Sequence, residues 1–240
     1  MDLFDNGLMA RLSPDEQACV ASVCHPMILQ PGAVLAGTAD ASGVVHFLTA
    51  SSVALVVRHA GGHSLGLGVV GAEGAIGLQC ALGLGAGIFT PVVQTGGGAW
   101  RADGHALARV VADRPPLQLA FSRYLWQVSE HVASMAALSH CQDVRSRLAA
   151  WLVLSDQRAD VARLDLTQAH LAAMLGVRRV SVSLAATDLK ERGLIDYQRG
   201  RIRLIDRAAL VALSHVETAP PEGVIASTPE RTTSRSAPAA

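Results

Sequence analysis

Apolar residues near the start of the chain (Leu8, Leu12, Cys19, Val20 and Val23) fall at mixed three- and four-residue spacings, which predicts helix over residues 6–24. Ser13-Pro14-Asp15-Glu16 reads as a helix start, with Pro at the first helical position and acids in the first turn, so a break near Leu12 and a restart are expected. Over residues 27–101 the pattern changes. Short apolar runs (Met27–Leu29, Val34–Leu35, Val44–Leu48, Val53–Val57, Ser64–Val70, Pro91–Thr95 and Ala99–Arg101) alternate with Pro31-Gly32, Gly61-Gly62 and Gly96-Gly97-Gly98. Several short strands broken by glycine turns predict a β-barrel or jelly roll.

A short helix is expected over 103–112, opening at Asp103, and Pro115-Pro116 starts a long one. On it Phe121, Leu125, Val128, Val132 and Met135 repeat at four, three, four and three residues. Two heptads of this kind fit a dimer seam, and they fit equally a helix packed on its own barrel. A further helix is expected from Val144 to Leu154. Residues 217–240, rich in Pro, Ser, Thr and Ala, read as a disordered tail.

Composition narrows the class. With 240 residues and half of them hydrophobic, the chain can bury one large core or two small ones. No apolar run approaches the roughly 18 residues a membrane helix needs, and the first residues lack a secretory pattern. Cys19, Cys24, Cys80 and Cys141 are scattered and read as reduced cytosolic thiols, with Cys19 and Cys24 placed on one helix. The net charge of zero conceals an asymmetry: residues 1–140 carry 6 basic and 9 acidic side chains, residues 141–216 carry 12 basic and 8 acidic. The basic excess is almost all Arg, the residue suited to paired contacts with phosphate and guanine.

That basic region holds the most specific motif. Gln168–Ala185 fits a helix-turn-helix template. Leu171, Leu175, Val177, Val182 and Ala185 occupy the places that fill the wedge between two crossed helices. Ala172 is small where the second helix passes close, Gly176 sits where the turn needs positive φ, and Thr167 precedes the first helix as its cap. The second helix is expected from about Arg179 to Arg192, stopped by Gly193. A core helix gains nothing from Arg178 and Arg179 at its N-terminus, where the macrodipole disfavours cations. A helix entering a major groove does, because its first residues meet base edges. Arg178, Arg179, Val180, Ser181, Ser183, Leu184 and Thr187 are the candidate contacts, with Thr167 and Gln168 from the first helix. Residues 194–205 then read as a hairpin turning near Arg199-Gly200, with Arg199, Arg201 and Arg203 available to phosphates, which makes a winged helix.

Residues 164–210 resemble the DNA-binding domain of the Crp/Fnr family of bacterial transcription regulators. PGAVLAG at 31–37, HFLTASSVALVV at 46–57 and VVGAEGAIGLQCALG at 70–84 resemble that family's barrel turn, strand pair and phosphate-cassette region. The resemblance covers roughly residues 8–213. It implies an α+β protein: a cyclic-nucleotide-binding-like β-roll (a double-stranded β-helix or jelly roll) over 1–114, a dimerisation helix over 115–140 and a winged helix-turn-helix over 141–216. It implies a cytoplasmic homodimer on double-stranded DNA with a two-fold operator, no enzymatic activity, and RNA polymerase as a partner. Gly74, Ile76, Gly77 and Leu78 are the candidate effector pocket.

The departures from the family are informative. Leu78 stands where cAMP-responsive members carry Glu, and Phe89-Thr90-Pro91 falls where they carry an Arg pair, so no cAMP response is expected. A backbone nest at Gly74–Gly77 remains a candidate binding feature. Val180 and Leu184 replace the Glu and second Arg that many members use to read bases, so at most one guanine contact is shared with their half-site. The cysteines do not match an iron–sulfur ligand set, and the barrel histidines His46, His59 and His63 form no compact motif. No cofactor or metal is therefore expected. A haem- or redox-sensing member, a protein-interaction module that has lost DNA binding and a cupin-like enzyme are the alternatives.

Overall fold

A computed structural model describes residues 2–35, 43–58, 64–85, 87–159, 164–198 and 200–214. The chain starts with two 3-10 turns, Leu3–Asp5 and Met9–Arg11, followed by α1 (Pro14–Ala21). The expected restart is a capping box: Ser13 Oγ accepts from the Glu16 N–H, and the Glu16 carboxylate accepts from the Ser13 N–H at 2.8 Å. Residues 6–12 do not continue as α-helix, because the buried Asn6 side chain is used elsewhere. Its Nδ2 donates to the carbonyls of Leu48 and Gly74, each at 2.7 Å, while its Oδ1 accepts from the Leu8 and Met9 N–H groups. The helix also ends earlier than expected, so Cys24 opens strand β1 (Cys24–Leu29) instead of sharing a helix with Cys19.

The β-roll continues through β2 (Val44–Leu48), β3 (Ser52–Arg58), β4 (Ser64–Val70), β5 (Ala75–Ile76), β6 (Thr90–Thr95) and β7 (Gly97–Asp103). Two antiparallel sheets result, ordered β1-β7-β2-β5 and β4-β3-β6. The run Val34–Leu35 contributes one bridge, Val34 to Val92, and not a strand. β5 is too short to leave a periodic signal. It is followed by Gly77 in the left-handed region (φ +83°), where a Cβ would collide with the Val44 carbonyl, and by a 3-10 turn, Leu78–Leu82.

Asp103 caps α2 (Gly104–Ala112) by accepting from the Ala106 N–H at 2.9 Å. α3 (Pro115–Cys141) is the long helix, and α4 (Val144–Ala159) runs one turn further than its apolar pattern suggested. The C-terminal part comprises α5 (Gln168–Leu175), α6 (Arg179–Glu191), α7 (Arg207–Ser214) and a three-stranded sheet ordered β8-β10-β9, from β8 (Leu164–Asp165), β9 (Ile195–Gln198) and β10 (Arg201–Leu204). The tail at 217–240 and the Gly61-Gly62 turn lie outside the described residues.

β3 explains how these parts join. Its run Val53-Ala54-Leu55-Val56 is buried on both faces. Val53 and Leu55 point into the roll with Leu48 and Val93, whereas Ala54 and Val56 join Trp151, Leu148 and Leu152 of α4. Trp151 Nε1 donates to Gln94 Oε1 at 3.2 Å, and Gln94 Nε2 donates to Ser155 Oγ at 2.8 Å. The winged helix therefore shares a core with the roll.

The heptad row on α3 divides differently from a dimer seam. Phe121 is fully buried against Phe47, with ring centroids 6.5 Å apart, and Met135 is buried with the α4 core. These two residues fill the chain's own interior. Leu125, Val128 and Val132 are half-buried on the same side.

Candidate nucleic-acid interface and effector cavity

The helix-turn-helix is assembled as its residue pattern requires. Thr167 Oγ1 accepts from the His170 N–H at 3.1 Å and starts α5, and Gly176 (φ +63°) ends it. Leu171, Ala172, Leu175, Val182 and Ala185 are buried at the crossing, and Val177 packs at its edge. Gln168 Nε2 donates to Ser183 Oγ at 3.4 Å, tying the two helices and turning both side chains partly inward. Arg147 Nη2 donates to the Leu175 carbonyl, a contact with no sequence signal because its partner is backbone.

α6 presents Arg178, Arg179, Val180, Leu184 and Thr187 to solvent. Val180 and Leu184 are 68% and 69% exposed, high values for aliphatic side chains on a helix whose other face is closed by Val182, Ala186 and Leu189. Ser181 is half-buried. Much of the regional basic charge is already paired: Arg145 and Arg192 with Asp188, Arg207 with Asp156, and Lys190 with Asp196. Among the described residues, Arg178, Arg179 and Arg203 make no ion pair. Arg201 and Arg203 alternate with buried Ile202 on β10, so they share the outer face of the wing. Arg201 also faces Asp165 at 3.5 Å. Both side chains are exposed, and such a pair is worth about 0–1 kcal/mol, little enough for a phosphate to replace the carboxylate. Arg199 lies outside the described residues, while its neighbour Gly200 makes the turn at φ +83° beside Thr167.

A second feature lies between the roll and α3: a cavity of about 440 Å³ whose lining includes Ile76, Gly77 and Leu78. Gly74 is not in that lining. A Cβ there would lie 2.1 Å from Tyr124 Oη, so this glycine is needed for close packing. The expected backbone nest is also occupied, since the Ala75 N–H donates to Tyr124 Oη at 3.0 Å and the Gly74 N–H to the Gly71 carbonyl. Burial raises the Tyr124 phenol, keeping it neutral. Nearby, Glu73 holds the Gly71 N–H and pairs with Arg158 of α4 at 3.3 Å, a bridge from roll to winged helix that sequence spacing did not signal.

Of the candidate sensing groups, His46 is buried on β2 and its pKa falls to about 4, by desolvation first and by Arg101 second. His59 and His63 lie outside the described residues. Cys24 is buried and pushed up to about 12 by desolvation. Among the described residues no group of three or more His, Cys, Asp or Glu gathers as a metal site, and no helix is long and apolar enough to cross a membrane.

The β-roll, long helix and winged helix-turn-helix define an α+β protein that carries a nucleic-acid-binding type of domain at its C-terminal end. The sequence profile of the Crp-like helix-turn-helix domain matches residues 146–213. That match assigns residues 146–213 to the Crp-like helix-turn-helix domain, and the fold of the whole chain is similar to that of solved Crp/Fnr-family regulators. Its fold is similar to that of a Crp/Fnr-family regulator from Eubacterium rectale (TM-score 0.68, 15% identity, 87% of this chain and 98% of that one). It is also similar to the c-di-GMP-responsive regulator CLP of Xanthomonas campestris (0.65, 15%, 80% and 99%) and to FixK2 of Bradyrhizobium japonicum (0.67, 15%, 80% and 97%). No curated protein matches the chain.

Proposed function

We propose that the chain works as a homodimeric, sequence-specific regulator in which residues 1–114 sense, α3 dimerises and residues 141–216 read a two-fold symmetric operator. The observation that carries the reading is the exposed N-terminal half of α6, where Arg178 and Arg179 stand beside the exposed Val180 and Leu184. Arg179 reads a guanine, Val180 and Leu184 meet thymine methyls, and Arg203 and Arg201 hold phosphates beside the groove. Thr167 and Gln168 sit at the α5 start, where backbone amides and a hydroxyl suit a phosphate. RNA polymerase is the partner expected of a DNA-bound regulator.

The second copy packs on the solvent face of α3. Leu119, Ser122, Trp126, Ser129, Ala133 and Ala136 are exposed there at three- and four-residue spacing, with Trp126 66% exposed. This row replaces Phe121 and Met135, which are already buried. cAMP is not the effector, because Leu78 and Phe89 stand where a cyclic phosphate needs polar and cationic partners.

Binding-site selection on wild type, Arg179→Ala and Arg203→Ala tests the assignment. Arg179→Ala should lose about 1–3 kcal/mol and relax one base pair per half-site. Arg203→Ala should weaken all sequences alike and lower the salt slope by about one unit per contact. An unchanged sequence logo for Arg179→Ala, with uniformly weaker binding, refutes the base-reading role.

A further inference from the structure

We propose that the cavity between the β-roll and α3 binds an uncharged, largely apolar small molecule, and that this molecule is the regulator's effector; the second clause rests on the function proposed above. The cavity, about 440 Å³, lies in the size range of small-molecule sites. Its walls are Leu55, Val70 and Phe89 from the roll and Leu125, Val128 and Val132 from α3. Among the described residues that line it, none is charged.

The chemistry follows from what an occupant would lose. A phosphate or carboxylate entering this lining gives up its hydration and meets no cation, a loss that apolar contact does not offset. An ammonium or guanidinium meets no carboxylate there and fares no better. A neutral apolar molecule loses only ordered water and gains contact with both walls. Two polar side chains border the cavity: Gln79, which leaves room for one hydrogen-bonding group on the ligand, and the exposed Ser129, at the rim in the row that faces the second copy. The third, Tyr124, is already committed: its hydroxyl accepts from the Ala75 N–H and donates to the Ala75 carbonyl, both at 3.0 Å.

The test titrates the full-length protein with N-phenyl-1-naphthylamine, a neutral apolar dye, by fluorescence, and records amide hydrogen exchange with and without dye. The expected result is saturable binding of one dye per chain, slowed exchange in residues 75–79 and 121–132, and no displacement by cAMP. Val128→Trp, which fills the cavity from α3, should weaken dye binding more than about tenfold, equivalent to roughly 1.4 kcal/mol, while the melting temperature stays near wild type. Absence of saturation, protection located elsewhere, displacement by cAMP, or undiminished binding by a folded Val128→Trp would each overturn the site. If that variant does not fold, the wild-type exchange map decides. DNA binding is measured separately by gel shift against genomic fragments, with and without dye. Failure to shift overturns the DNA reading and leaves the cavity standing, whereas a shift that dye leaves unchanged overturns the effector role alone.

Discussion

Tyr124→Phe removes one oxygen atom and keeps the ring. In the folded chain that oxygen both accepts from and donates to Ala75, at 3.0 Å each way, within a buried site. Ala75 sits on a two-residue edge strand with no further strand on its outer side among the described residues, so no ladder partner there takes up its freed N–H and carbonyl. The phenylalanine ring occupies the same space but offers neither group a partner. Leaving a buried backbone group unsatisfied costs about 1–3 kcal/mol, and the two together about 2–6 kcal/mol. At about 2–4 °C per kcal/mol for a chain of this size, the melting temperature should fall by roughly 4–24 °C. Gly74→Ala attacks the same contact from the other side, because its Cβ would lie 2.1 Å from the Tyr124 oxygen and 2.6 Å from the ring. Once the methyl group added by Gly74→Ala has displaced the ring, removing the hydroxyl should cost little more, so the double variant should be less destabilised than the sum of the singles. Denaturant unfolding of the four proteins measures the cycle. A Tyr124→Phe loss below about 0.5 kcal/mol, or strictly additive variants, would refute the argument.

Three further outcomes follow from the same packing. His46 is held neutral, with its pKa lowered from 6.5 to about 4, so the unfolded chain binds the proton first and stability should fall as pH drops from 6.5 towards 4. The total is about 3 kcal/mol, and melting curves of a folded His46→Leu variant should be flatter across that window. Gln94→Leu strands the Trp151 indole N–H and the Ser155 hydroxyl, and should destabilise by about 1–3 kcal/mol more than Ser155→Ala, measured by denaturant midpoint. Trp126→Glu and Ala133→Glu place charge on the exposed α3 row and should yield monomers by light scattering with unchanged circular dichroism; dimers that persist in both variants would place the second copy elsewhere.

The sequence alone carried the helix-turn-helix, because its signals are local. A cap at Thr167, a small residue at Ala172, a left-handed turn at Gly176 and apolar places at fixed offsets each act within one or two helical turns. The strands of the roll were legible for the same reason, except β5, whose Ala75 is held by Tyr124 from 49 positions away. Tertiary structure decided what each apolar row faces. Phe121 and Met135 carry the same heptad spacing whether they meet a partner helix or their own barrel, and only the position of β2 and α4 places them inside. Spacing likewise could not tell which arginines are free, since Arg158 is paired with Glu73 and Arg145 with Asp188 across distances along the chain that no local pattern encodes. The same holds for the cavity, whose walls come from strands and a helix far apart in sequence. Its lack of charge follows from which side chains the fold brings together, not from the composition of any one segment.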